Sequence, residues 1–229
     1  MKTDLPGKAI RDYFYKNASK LYVHDKFGPK TEMPLSIYFR EERQMPELEK
    51  FALENCSGKI LDIGAGAGAH VLALQQKGLE VSALEISPAA CEIMEKRGVK
   101  NIICTDFFNY SFTKKYDTLL LLMNGIGLCS SIDGLKRFLN IAKNLLNEGG
   151  KILCDSCDIA YMYEGIGFPN RYYGEAEVRY EYKNEFTDWF YWLYIDDATF
   201  EMTAAEMGWD FNLLKEDDKD QYLAELTLL

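Results

Sequence analysis

From Lys59 onward, short apolar runs alternate with segments whose apolar residues recur at helical spacing. Lys59-Ile60-Leu61-Asp62-Ile63 is an apolar run stopped by Gly64, as expected of a buried strand. Ala69 to Lys77 has helical composition and ends at Gly78, a residue suited to closing a helix. Leu79 to Ile86 predicts a second strand. Ser87-Pro88 then opens a helix that ends at Arg97-Gly98, with serine as N-cap and proline at the first helical position. Asn101 to Thr105 reads as a third strand and Tyr116 to Met123 as a fourth, whose run of Leu119 to Leu122 suits a strand covered on both faces. Leu135, Phe138, Leu139, Ala142, Leu145 and Leu146 place one apolar face on a helix between Ser131 and Asn147. Gly149-Gly150 stops it, and Lys151 to Asp155 predicts a fifth strand. Strands and helices that alternate in order from residue 58 to 158 imply a doubly wound α/β sheet.

The flanks are patterned differently. The first 55 residues are irregular and aromatic-rich, with helices expected near Gly7–Tyr15 and Met45–Asn55, and read as a cap on the core. Glu175 to Tyr194 shows partial period-2 alternation and predicts an antiparallel pair turning at Lys183-Asn184. A helix starting at Asp197 or Thr199 and ending at Met207-Gly208 follows. Trp209–Leu214 and Tyr222–Leu228 then read as two strands joined by the charged turn Lys215 to Asp220.

Composition narrows the classes. Hydrophobic residues make up 48% of the 229 and charged residues 27%, which is the make-up of a globular chain. The net charge of −10 supplies no broad cationic face, so nucleic acid is not an expected partner. No stretch approaches the ~20 apolar residues of a membrane span, and Met1 to Arg11 has no apolar signal core. Six cysteines are too few for a disulfide scaffold, and Cys104, Cys129 and Cys154 lie inside apolar runs as small buried hydrophobes would. A reducing cytoplasmic location is expected. Cys154-Asp155-Ser156-Cys157 has no second cysteine pair to complete a metal site, so no metal is expected.

The candidate chemistry sits between the first core strand and its helix. Gly64-Ala65-Gly66-Ala67-Gly68 can turn tightly and admit a ligand close to bare backbone, while the following helix offers free N–H groups. Glu85, at the end of the next strand, is placed to take both hydroxyls of a ribose, as in a Rossmann-type nucleoside site. The other reading of Glu85 is a cap for the Ser87-Pro88 helix. A dinucleotide fingerprint would put its third glycine at position 69, where this chain has alanine; a dinucleotide-binding oxidoreductase therefore stays as an alternative.

Leu61 to Gly68 resembles motif I of the class I S-adenosylmethionine-dependent methyltransferases. Other segments resemble that family in order: Glu85, with Ile86 beside it, at the end of strand two; Thr105-Asp106-Phe107 after strand three; Tyr116 to Asn124 as strand four; and Leu145 to Lys151 as the turn before strand five. The resemblance implies a Rossmann-like sheet of about seven strands with a C-terminal antiparallel hairpin, a helical cap over residues 1–57, and a methyltransferase domain over 58–229. Residues 158–196 become an insertion after strand five that acts as substrate lid. S-adenosylmethionine is the implied cofactor, held by Asp62, Gly64, Ala65, Gly66, Gly68, Glu85, Ile86, Asp106, Phe107 and Asn124.

Such an enzyme transfers a methyl group by in-line displacement, and the protein mainly aligns acceptor and donor in a dry pocket. The acceptor is read as a small molecule with an N, O or S nucleophile, and a protein substrate stays open. Asn124 is the candidate for a catalytic role, either orienting an acceptor amine or bonding its own turn. The two histidines are placed at the surface or in support of the loop (His70) and in the cap (His24). Asp155 and Asp158 are pocket candidates by position, and Arg40 and Arg43 could pair with a cofactor carboxylate or form surface ion pairs. The many tyrosine and tryptophan rings of 158–196 either stack on substrate or pack the insertion, and a non-catalytic S-adenosylmethionine-binding module remains a further alternative.

Overall fold

The computed structural model describes residues 4–165, 167–218 and 220–229. Residues 1–3 of the expected cap, Ile166 of the expected insertion and Lys219 of the C-terminal turn lie outside the described residues. Six helices are described: α1 (Leu5–Phe14), α2 (Glu47–Glu54), α3 (Ala69–Gln76), α4 (Pro88–Arg97), α5 (Ile132–Leu145) and α6 (Asp197–Glu206). The strands are β1 (Leu21–Asp25), β2 (Thr31–Met33), β3 (Lys59–Ile63), β4 (Glu80–Glu85), β5 (Ile102–Cys104), β6 (Tyr116–Leu121), β7 (Leu146–Cys157), β8 (Glu175–Tyr182), β9 (Glu185–Phe186), β10 (Phe190–Leu193), β11 (Trp209–Glu216) and β12 (Gln221–Leu228).

The main sheet has seven strands in the order β11-β12-β7-β6-β3-β4-β5. Pairs β4–β5 and β6–β7 are parallel, whereas β12 runs antiparallel to both β7 and β11, giving the expected closing hairpin. A second, antiparallel sheet has the order β10-β8-β1-β2, with β9 paired to β8. The chain clusters into two compact units whose segments interleave along the sequence: one of residues 1–45, 62–110 and 177–190, the other of 46–61, 111–176 and 191–229.

In the first unit the helix starts follow the sequence signals. Ser87 caps α4 by accepting from the Ala90 N–H at 3.0 Å, and Pro88 begins the helix. Asp4 caps α1 through the Gly7 N–H at 2.9 Å and also accepts from the Ser87 hydroxyl at 2.6 Å, so one carboxylate joins the starts of both helices. A Cβ on Gly7 would lie 1.9 Å from that hydroxyl, which makes this crossing specific to glycine. Ile10, Ala67, Ala90 and Ile93 form a buried cluster with Tyr38 and Phe39 packed against it.

The first 57 residues are not purely helical. Strands β1 and β2 pair antiparallel, Leu21 opposite Met33, and β1 pairs with β8 from Leu21↔Tyr182 to Asp25↔Val178. These strands are short, and the second partner of β1, β8, lies more than a hundred positions away, so no local alternation marks that ladder. The turn after β8 is as expected: Lys183 and Asn184 hold φ of 50° and 62°, the left-handed pair of a two-residue hairpin.

In the second unit Leu135, Phe138, Leu139, Ala142 and Leu145 are the buried face of α5, as their spacing requires. Strand β7 starts at Leu146, earlier than the expected Lys151. Its ladder with β6 jumps from Tyr116↔Leu146 to Thr118↔Lys151, so the diglycine lies in a bulge within the strand. Asp117 holds that place, accepting from the Lys59 N–H at 2.6 Å and the Asn147 amide at 2.7 Å.

Candidate active site

The glycine loop leaves the end of β3 in the first unit. Gly64 and Ala65 donate to the Leu84 carbonyl at 2.9 and 3.1 Å, anchoring the loop to β4. Gly64 and Gly66 have φ of 82° and 55°, conformations open to glycine at little cost. A Cβ at Gly64 would meet nothing within 4 Å, whereas one at Gly66 would stand 3.0 Å from the Tyr38 ring. The loop thus has a free side at Gly64 and a closed side under Tyr38. Gly68 is a packing glycine, since a Cβ there would reach Val99 at 2.8 Å.

Glu85 faces this loop from the end of β4. One carboxylate oxygen accepts from the Gly66 N–H at 2.8 Å and the other from the Ser87 N–H at 2.9 Å. The carboxylate therefore ties the glycine loop to the start of α4, so the capping reading of this residue is present in the geometry. A carboxylate has about four acceptor directions, so two backbone bonds leave capacity for a ligand diol. Burial pushes the Glu85 carboxyl above its usual range, against the backbone bonds from Ser87 and Gly66. Ile86 itself is 65% exposed, an apolar side chain held out beside that carboxylate.

Asp62 is buried, and its Oδ2 has no hydrogen-bond partner among the described residues. Burial pushes its carboxyl up to about 6, opposed by nearby His70. His70 is buried beside Asp62, because the first turn of α3 packs inward; of its two expected placements this sets aside the surface and fits support of the loop. Asp106 accepts from the Phe108 N–H at 2.9 Å and the Asn109 amide at 2.7 Å, while Phe107 is buried.

Two residues outside the sequence reading complete this arrangement. The Tyr38 ring covers Gly66, and its hydroxyl donates to the Met33 sulfur at 2.9 Å. Arg97, at the end of α4, donates to the carbonyls of Tyr38 and Ala67 and so clamps the cap to the loop. Neither carries a local signature; aromatic and basic residues in an irregular stretch or a last helical turn have many roles.

The remaining candidates divide. Arg43 pairs with Glu41 at 2.9 Å on the surface. His24 Nε2 lies 2.6 Å from a Glu181 oxygen that also takes Lys30. In the second unit, Asp155 accepts from the Met123 and Asn124 N–H groups at 2.9 and 2.6 Å. The Asn124 side chain donates to the Leu193 carbonyl at 3.2 Å and accepts from the Ser156 hydroxyl at 3.2 Å. Asp158 accepts from the Tyr173 hydroxyl at 2.7 Å, and Asp196 from Tyr172 at 2.5 Å, so these rings are held by carboxylates. Cys154 and Cys157 are three apart on one strand and point to opposite faces. Burial and then nearby aspartates push the Cys157 thiol up to about 12.

A family described as a methyltransferase domain matches residues 60–150. No curated protein matched the chain. Among solved structures, a methyltransferase from Bacteroides fragilis in complex with S-adenosyl-L-homocysteine is 40% identical, with a TM-score of 0.90, covering 98% of this chain and 94% of that one. The CcbJ methyltransferase from Streptomyces caelestis shares the fold at 13% identity and a TM-score of 0.64, covering 84% of this chain and 95% of that one. The sugar N-methyltransferase KedS8 from Streptoalloteichus does so at 13% identity and a TM-score of 0.59, covering 86% and 94%. With 40% identity across nearly the full length of both chains, the protein belongs to the class I S-adenosylmethionine-dependent methyltransferases.

Proposed function

We propose that this chain binds S-adenosylmethionine at the Gly64–Gly68 loop and transfers its methyl group to a small-molecule acceptor. The observation that carries the reading is Glu85, whose carboxylate holds the loop through Gly66 and keeps acceptor capacity beside a glycine with open space above it. The other residues fit the same ligand. Exposed Ile86 supplies an apolar surface for the adenine, the Asp106–Phe107 turn borders it, and the unpartnered Asp62 oxygen suits the cationic amine of the methionine arm. When bound, this cofactor supplies an electrophilic methyl group on sulfur.

The chain's own part is to bind, orient and exclude water. Tyr38 and Arg97 hold the loop closed on one side. Asn124, with its amide engaged at Leu193 and Ser156, serves as a positioning residue rather than a base. The acceptor's own nucleophile then carries the reaction, and an amine or thiolate arriving deprotonated needs no protein base. Residues 158–196 serve as the substrate lid. The net charge of −10 favours a small acceptor over nucleic acid and accords with a cytoplasmic enzyme, and no helix among the described residues is long and apolar enough to cross a membrane.

Calorimetry with S-adenosylhomocysteine and NAD tests the cofactor reading. Micromolar S-adenosylhomocysteine binding, weakened about tenfold or more by Glu85→Ala, is expected; every tenfold corresponds to about 1.4 kcal/mol. Binding of NAD in its place would overturn the reading. Methyl transfer to RNA or protein, with none to small amines and thiols, would overturn the acceptor class.

A further inference from the structure

Two cysteines meet behind Glu85. The Cys91 thiol, in the second turn of α4, lies 3.6 Å from the Glu85 carbonyl and is buried. Cys104 stands directly opposite Glu85 in the β4–β5 ladder, so both cysteines flank the same residue, and burial, followed by the neighbouring Cys104 thiol, pushes the Cys91 thiol up. Cys104 is exposed, and among the six cysteines it alone is. This corrects the expectation of a buried residue: β5 is the sheet's last strand, three residues long, and its end lies open.

The geometry points to an oxidative modification site: we propose that Cys91 and Cys104 form a disulfide on reaction with a peroxide, and that this bond weakens nucleoside binding at Glu85. The second half rests on the cofactor site proposed above; the first does not. Exposure makes Cys104 the thiol that a peroxide reaches, while burial pushes the Cys91 thiol up and keeps it protonated until it is used. The Cys104 sulfur attacks one peroxide oxygen, the O–O bond breaks, and water (or an alcohol from an organic peroxide) leaves, giving a sulfenic acid. The Cys91 sulfur then attacks the Cys104 sulfur; the S–O bond breaks and the hydroxyl departs as water with the Cys91 proton. Two thiols are oxidised and one peroxide is reduced.

The coupling follows from what surrounds the bond. The bond fixes the two sulfurs about 2.05 Å apart, drawing α4 and β5 together. Cys91 would lose the proton it directs at the Glu85 carbonyl, which also accepts from the Thr105 N–H at 2.9 Å. Ser87, whose N–H holds the Glu85 carboxylate, begins the same helix, and Thr105-Asp106 follows Cys104 directly. Both flanks of the proposed nucleoside site therefore shift with one bond.

The test uses the full chain, reduced or treated with hydrogen peroxide. Tryptic digestion without reductant is expected to yield residues 78–96 joined to 101–114, and dithiothreitol to separate them. S-adenosylhomocysteine affinity by calorimetry is expected to fall about tenfold on oxidation, within the range of ordinary coupling between sites, and to return on reduction. In Cys104→Ser neither the cross-link nor the affinity change is expected; Cys91→Ala gives a second control should that variant fold poorly. Oxidation that stops at a sulfinic acid on Cys104 overturns the disulfide. A cross-link with unchanged affinity overturns the coupling. Reduced protein that binds no S-adenosylhomocysteine defeats the cofactor site and the coupling with it, while the cross-link is still judged by its peptide.

Discussion

Gly66 combines a backbone demand with a steric one. Its φ of 55° is a left-handed conformation, and the Tyr38 ring would stand 3.0 Å from a Cβ. Gly66→Ala is expected to cost roughly 1–3 kcal/mol in urea unfolding from strain alone and to weaken S-adenosylhomocysteine at the same time. An alanine variant with parental affinity would show that the loop is not the ligand's seat. Asp62 makes a second prediction at this scale. Its carboxyl, raised to about 6 by burial, is largely protonated at pH 5 in the unliganded protein. A ligand amine that favours the ionised form lowers this pKa on binding, so affinity for S-adenosylhomocysteine should rise about tenfold between pH 5 and pH 7. Glu85 is raised as well, so the assignment needs Asp62→Asn, in which most of that pH dependence should vanish. The same sign governs stability: Asp62 favours the fold below its unfolded pKa, and that contribution is lost as pH rises through about 6.

At the scale of elements, the end of β6 depends on a neighbouring strand. Met123 and Asn124 hold φ of 62° and 54° without being glycines, and Asp155 on β7 accepts from both of their N–H groups. Hydrogen bonds to a charged acceptor offset the strain of that turn, each contributing about 1.5–3 kcal/mol. Asp155→Ala should therefore lower stability by about 3 kcal/mol, and Asp155→Asn, with one acceptor oxygen, by less. A loss under about 0.5 kcal/mol, the size of an ordinary surface change, would mean that the turn stands on its own. The helices were legible because their caps are local: Ser87 with Pro88 for α4, Ser131 for α5 and Asp196 for α6 each bond a residue three positions on. Strands β1 and β2 were not, because they are only five and three residues long and β1 is seated by its ladder to the distant β8.

For the molecule as a whole, a ligand that binds only the folded chain shifts the folding equilibrium by mass action. S-adenosylhomocysteine at about a hundred times its dissociation constant should add about 2.7 kcal/mol, or roughly 5–10 °C in thermal midpoint for a chain of this length. A tenfold loss of affinity in Glu85→Ala should cut that shift to about 1.4 kcal/mol, roughly half, at the same ligand concentration. A parent that gains no stability at saturating ligand would contradict binding by the folded state.

The alternation from β3 to β7, the closing hairpin and the glycine loop with Glu85 beyond it follow from local residue order. These features are written in nearest-neighbour chemistry: apolar runs, glycine stops and caps span only a few residues. That Asp4 joins two helix starts, that Tyr38 and Arg97 close the glycine loop, and that His70 is buried emerge only when the chain is folded. Folding also brings Cys91 and Cys104 to the same residue, Glu85, and leaves Cys104 exposed. Such contacts join residues far apart in the chain, and their energy depends on burial and distance, which exist only once the chain has folded.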